Sequence, residues 1–131
     1  ILAVPRGHRW WKRASIALHE LHDEPFIMRE AGSGTRISME KLLHEQGITA
    51  DNLNIVAEVG STTAVKQAIK ARLGISLISE RAVGEELKLG IFRKIAIQNV
   101  RLPRSFFIIQ DKKQTPSPLC AALLQFLASA R

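Results

Sequence analysis

Two short stretches carry residue types that could hold a small anion. One is "MREAGSGTR", Met28 to Arg36, and the other is "EVGSTTAV", Glu58 to Val65. In each, an apolar run ends, glycine and hydroxyl residues follow, and a segment of helical periodicity begins. The first turn of a helix leaves backbone N–H groups without intrahelical partners, and the helix dipole adds partial positive charge. Glycine lets backbone approach a ligand closely, while Ser and Thr add hydroxyl donors. Arg29 and Arg36 bring forked guanidinium groups suited to oxyanions. The candidate binding residues are therefore Arg29, Ser33, Gly34, Thr35 and Arg36 at the first junction, with Gly60, Ser61 and Thr62 at the second. Ser33, Thr35, Ser61 and Thr62 are equally ordinary helix N-caps. One such junction alone reads as capping; two on one sheet can face a common crevice.

Catalytic chemistry is poorly supplied. "AGSGTR" is neither a G-x-G-x-x-G fingerprint nor a P-loop, and Ser33 sits in G-S-G, not in G-x-S-x-G. His8, His19, His22 and His44 lack cysteine partners and H-E-x-x-H spacing. His19 and His22 can share a helical face, but two ligands do not make a metal site, and a surface position is the simpler expectation. Glu30 and Glu58 end or nearly end their strands; salt bridges to Arg29 or Arg36 explain them more simply than an acid/base pair. No catalytic residue, cofactor or metal is expected.

The elements that must position these junctions follow from periodicity. "ILAV" (1–4), "FIMR" (26–29), "NIVAEV" (54–59), "ISLI" (75–78), "IFRKIAI" (91–97) and "SFFIIQ" (105–110) read as strands. "SIALHELHDE" reads as a short helix capped by Ser15. Met39, Leu42 and Leu43 share a helical face between Gly34 and Gln46, and Gly47 is a stop. Val65, Ala68, Ile69 and Leu73 form another face, stopped at Gly74. Ser79 can cap a helix carrying Val83 and Leu87, and Ser117-Pro118 opens a last one through Leu119, Leu123, Phe126 and Leu127. Strands alternating with helices predict an α/β fold built on a mainly parallel central sheet flanked by helices. In such sheets ligands sit beyond the carboxyl ends of the strands.

Composition narrows the partners. The formal charge of +7, from 19 Lys plus Arg against 12 Asp plus Glu, suits anionic partners. In "RGHRWWKR" basic residues flank Trp10 and Trp11, a combination that can bind nucleic acid; a turn whose tryptophans pack on the protein is the preferred reading. No apolar run approaches the roughly 18–20 residues of a membrane span, and "ILAVPRGHRWW" is not a signal peptide. The opening lacks Met and begins mid-strand, as expected of an excised fragment. Cys120, the one cysteine, excludes an internal disulfide and permits a reducing compartment; its apolar neighbours suggest a small buried hydrophobe.

"EPFIMREAGSGTR", followed some twenty residues on by "VAEVGSTTAVKQAIKARLGISLIS" and later by "FFIIQDKKQTPSPLCAALLQFL", resembles the effector-binding domain of LysR-type transcriptional regulators. The likeness covers nearly the whole chain. It implies a periplasmic-binding-protein-like (type 2) fold of two α/β subdomains with a small effector, here anionic, bound between them. By the resemblance, residues 15–110 roughly form the second subdomain, and the ends, 1–5 and 117–130, border a first subdomain most of which is absent. The cleft-facing positions are then Arg29 to Arg36 and Gly60 to Thr62, with the loop before Ile75 farther away. Further implications are a cytoplasmic, non-enzymatic homo-oligomer that contacts DNA only through a separate N-terminal helix-turn-helix. The alternative of shared architecture is a periplasmic solute-binding protein; an independent nucleic-acid-binding module ranks third and an enzyme last.

Overall fold

A computed structural model of the chain describes residues 1–101, 103, 107–111, 113 and 115–129. Its strands are β1 (Leu2–Pro5), β2 (Ser15–Ile16), β3 (Phe26–Arg29), β4 (Ile55–Val59), β5 (Ser76–Leu77) and β6 (Phe92–Ile97). Its α-helices are α1 (Gly34–Glu45), α2 (Thr62–Lys70), α3 (Gly84–Lys88) and α4 (Pro118–Ser129). Short 3-10 turns occupy Leu18–Asp23, Ala50–Asn52 and Glu80–Val83.

β1 lies between β5 and β6 and runs antiparallel to both, pairing Leu2 with Leu77 and with Ile95. Outward from it the pairings are parallel: β2 on β6, and β3 on β4. Phe26 bridges Ile75 in parallel, and the Ile27 N–H donates to the Ile75 carbonyl at 2.8 Å, so β3 joins the larger sheet just ahead of β5. The sheet is thus parallel on either side of one reversed strand.

Strand alternation distributes the core over two faces. Leu2, Val4, Phe26 and Met28 pack with Trp10, Ile16, Met39 and Leu43, which places α1 on one face. Ala3 and Ile27 point the other way, against Val65, Ala68 and Ile69 of α2 and Val83. Helices on both faces of a sheet match the α/β architecture the sequence predicts. Trp10 is fully buried and Trp11 packs against the same cluster, so the basic-aromatic stretch is a packed turn.

Several expectations need correction. Ser15 does not cap a helix: Ser15–Ile16 pairs with Ala96 and Ile97, because pairing with β6 buries the apolar Ile16. The turn begins after Ala17, whose N–H donates to Glu20 Oε1 at 2.8 Å, while Arg13 grips both Glu20 oxygens at 2.6 and 2.9 Å. Leu73 leaves the apolar face of α2, since the helix ends at Lys70 and the chain reverses through Arg72 at φ 60°; Leu73 is 56% exposed. Of the expected strand 105–110, Phe107 to Gln110 form no strand and are exposed, because no strand among the described residues pairs with them; Ser105 and Phe106 lie outside the described residues. Cys120 is exposed, not buried, because α4 has no buried residue. Ser117 does cap α4, accepting from the Cys120 N–H at 3.3 Å.

The approach of β3 to the segment before β5 depends on Gly74: a side-chain carbon there overlaps the Pro25 carbonyl and sits 3.4 Å from Ile27. Backbone cannot yield as a side-chain tip does, so Gly74→Ala is expected to cost about 2–3 kcal/mol, measured by urea denaturation. Glu20 offers a pH test. Hydrogen bonds from Arg13, then from the Ala17 N–H, hold its carboxyl at about 2 instead of 4.5. A depressed folded-state value adds stability above the unfolded value that is lost as pH falls. The stability difference between wild type and Glu20→Gln should therefore be present above pH 4.5 and vanish as pH approaches about 2.

Candidate functional site

β3, β4 and the Ile75–Leu77 segment run in one direction, so their carboxyl ends share one edge. Three junctions leave it: Arg29 to Arg36 into α1, Gly60 to Thr62 into α2, and Ile78 to Glu80 into the third 3-10 turn. Ser33 is the N-cap residue of α1, is buried, and uses its carbonyl, at 2.9 Å from the Ile37 N–H, rather than its hydroxyl. Ser61 caps α2 through its hydroxyl, accepting from the Ala64 N–H at 3.0 Å. One hydroxyl is therefore committed to capping, as the plainer sequence reading allows.

Both arginines are tied to the scaffold. Arg29 donates two hydrogen bonds to Glu30, at 2.6 and 2.7 Å, and a third to Thr62 Oγ1 at 3.0 Å. Arg36 donates to Glu40 at 2.7 Å, to Glu58 at 2.7 Å and to the Arg29 carbonyl at 2.9 Å. These contacts bring the two nominated junctions together and raise both guanidinium pKa values further, the bonds to Glu30 and to Glu40 being the main causes. Arg29 in turn holds the Glu30 carboxyl below its ordinary range. Glu30 and Glu58 are salt-bridge partners, as the simpler sequence reading has it.

The open space lies beside this network, between α1 and the end of β5. A cleft of about 200 Å³ is lined by Thr35, Ser38 and Met39 of α1, by Leu77 to Glu80, and by Ile1. Met39, Leu77 and Ile78 are buried apolar floor. Thr35, Ser38 and Ser79 are the hydroxyl residues on its wall, and Ser79, though an N-cap, makes no side-chain capping bond. Glu80 is held by Lys94 through both oxygens at 2.9 Å, which lowers its pKa.

Of the eight nominated residues, Thr35 lines this cleft; Ser33 and Gly34 open the same helix, Arg36 ties it to the Arg29 carbonyl, and Gly60, Ser61 and Thr62 lie across the Arg29–Thr62 hydrogen bond. Sequence reasoning missed Ser38 and Ser79. Ser38 was detectable as one helical turn beyond Thr35, and Ser79 as the hydroxyl following a third apolar strand. The loop before Ile75 leaves the amino end of β5, at the opposite edge, and does not belong to this site. His19 is exposed and His22 half-buried, and among the described residues no group of three His, Cys, Asp or Glu could hold a metal. No helix among them is long and apolar enough to cross a membrane.

The model of the LysR substrate binding domain matches residues 1–131. The chain is 33% identical over 118 residues to the HTH-type transcriptional regulator CbbR of Rhodospirillum rubrum, covering 90% of this chain and 39% of that protein. It is 32% identical over 127 residues to the HTH-type transcriptional activator CmpR of a Synechocystis species, covering 97% and 41%. Among solved structures, the regulatory domain of CcmR from Synechocystis PCC6803, in complex with 2-PG, superposes with a TM-score of 0.78 at 26% identity, covering 98% of this chain and 61% of that one. The chain thus spans well under half the length of the curated relatives it matches.

The Arg36 network makes one expectation specific. Arg36→Met keeps the aliphatic stem but releases Glu40, Glu58 and the Arg29 carbonyl. Because both carboxylates are solvent-exposed in part, the loss is expected to be about 1–2 kcal/mol in chemical denaturation.

Proposed function

The chain belongs to the LysR substrate-binding domain family, and from that premise we propose that it senses a small anionic effector for a complete transcriptional regulator. The observation that carries this reading is the cleft at the carboxyl edge, where the hydroxyl residues Thr35, Ser38 and Ser79 wall an apolar floor. Thr35 lies in the first turn of α1, where unpaired N–H groups and the helix dipole favour negative charge. Arg29, Ser33, Gly34 and Arg36 hold that turn in place, and Gly60, Ser61 and Thr62 extend the wall at the second junction.

In this proposal the acidic group of the effector meets the Thr35 and Ser79 side chains, the Ser38 hydroxyl donating to the Gly34 carbonyl at 2.8 Å, and its apolar part rests on Met39, Leu77 and Ile78. The opposite wall comes from the first subdomain, outside residues 15–110, with 1–5 and 117–130 at the border. The apolar surface of α4 supports that border: Leu119 is 82% exposed and Phe126 66% exposed, and contiguous surface of this kind is ordinarily covered. DNA contact belongs to a helix-turn-helix elsewhere in the complete protein, a feature named in the CbbR and CmpR relatives. The effector acts by binding one arrangement of the regulator more tightly than another. The protein is read as a cytoplasmic homo-oligomer, without catalysis, cofactor or membrane contact. Regulators among the relatives favour this over a periplasmic solute-binding protein.

The first probe is 2-PG, the molecule bound by the CcmR regulatory domain. In calorimetric titration of the complete protein, Thr35→Val is expected to weaken binding about 3–10-fold, the loss of one hydrogen bond worth ~1 kcal/mol. Unchanged affinity in a folded Thr35→Val, Ser79→Ala double variant overturns the cleft assignment.

A further inference from the structure

A second cleft, of about 150 Å³, opens at the other edge of the sheet, where β1 ends and the segment before β5 begins. Arg6 and His8 line it after β1, Arg72 and Gly74 before β5, and Glu24 ahead of β3. It shares no lining residue with the Thr35 cleft. We propose that this second cleft binds a phosphate-class oxyanion, inorganic phosphate or a phosphate monoester, between the Arg6 and Arg72 guanidinium groups.

The backbone at Arg72 is the first argument. α2 closes with the Arg72 N–H on the Ile69 carbonyl at 3.0 Å and the Leu73 N–H on the Ala68 carbonyl at 3.1 Å. That double closure puts the residue past the cap in the left-handed region, where glycine is the default. α1 uses Gly47 there, at φ 73°, with the matching Gly47-to-His44 and Ile48-to-Leu43 bonds. α2 instead holds an arginine at φ 60°. A non-glycine residue in that region is unfavourable and calls for a reason in its side chain. The Arg72 side chain lies over Gly7, with Nη2 3.8 Å from the position a side-chain carbon on Gly7 would take.

The second argument is charge. Among the described residues, neither the Arg6 nor the Arg72 side chain has a hydrogen-bond or ion-pair partner. The carboxylate in the cleft does not serve them. His8 Nδ1 accepts the Trp10 N–H at 3.2 Å, so His8 Nε2 carries the proton and donates to Glu24 Oε2 at 3.0 Å. The other Glu24 oxygen accepts from Arg9 Nε. Glu24 is buried and occupied from both sides, and Arg9 balances its charge. Two unpaired guanidinium groups beside a neutralised carboxylate leave the cleft net positive, and paired forks match the oxygens of a tetrahedral oxyanion. The paired arginines at the effector edge lack this freedom.

The test uses the complete protein at fixed ionic strength, titrated separately with inorganic phosphate and with glycerol 3-phosphate by calorimetry. Arg72→Gly removes the guanidinium while giving α2 the residue its closure prefers, so the variant should fold at least as stably, read as an equal or higher Tm. Wild type is expected to bind at least one of the two probes. Arg72→Gly should bind at least tenfold more weakly, and Arg6→Gln should weaken binding in the same direction. Lys41→Gln, which removes a positive charge from α1, should change affinity less than twofold. Tighter binding of the monoester identifies it as the preferred source, and equal binding assigns the site to free phosphate. Undetectable binding of both probes to wild type overturns the proposal. So does unchanged affinity in Arg72→Gly, or an equal loss in Lys41→Gln, which would mean attraction by net charge.

Discussion

The arrangement depends on β3 sitting between two parallel neighbours. Phe26, Ile27 and Met28 are fully buried, with β4 on one side and Ile75 on the other. The contact with Ile75 is possible because Gly74 lets the chain pass against the Pro25 carbonyl. Parallel alignment puts the carboxyl ends of β3, β4 and β5 at one edge, so three helical starts converge there. Reversing or shifting β3 would separate the Thr35 turn from Ser79 and the Arg29 guanidinium from Thr62.

Charge is used differently at the two edges of the sheet. At the carboxyl edge, Arg29 and Arg36 each meet carboxylates and bind one junction to the next. These contacts fix the geometry of the turn from which Thr35 and Ser38 line the cleft. In the proposed reading, neutral groups beside a helix start make selectivity rest on shape and hydrogen-bond placement more than on net attraction. At the opposite edge the balance is inverted, with Glu24 satisfied by His8 and Arg9 while the Arg6 and Arg72 side chains have no partner among the described residues. The excess positive charge of the chain is therefore local in part: Arg6, the first residue of the basic-aromatic turn, shares a cleft with Arg72 from the far end of α2.

The two core clusters hold these edges at a set distance. β1 contributes Leu2 and Val4 to one face and Ala3 to the other, and it is hydrogen-bonded to both β5 and β6. One edge forms near its start, the other at its end. Across α2 and α3, Lys66 and Lys70 both reach the Glu86 carboxylate, at 2.8 and 3.1 Å, pinning the helical layer on the second face. Breaking such a buried carboxylate's contacts is costly because it leaves charge without compensation.

Local pattern in the sequence determined the class of fold, most of the elements and the two glycine-hydroxyl junctions. Apolar spacing of three and four residues, strand alternation and capping side chains act between near neighbours, so α1, α2, β3 and β4 were legible without a structure. The quoted blocks also carried the family resemblance. Tertiary structure decided what local pattern does not encode. Ser15–Ile16 became a strand because β6 was available to pair with it, whereas Phe107 to Gln110 have strand-like composition and no strand partner among the described residues. Arg29 and Arg36 were legible as anion-binding types and Glu58 as a salt-bridge partner, yet only the fold brings Arg29 onto Thr62, distant in sequence. Ser79 joined the Thr35 cleft, and the loop before Ile75 was carried to the opposite edge, through the direction in which β5 runs beside β3. Strand neighbours, ion-pair partners and the facing of a cleft are long-range quantities, set by which buried surfaces meet.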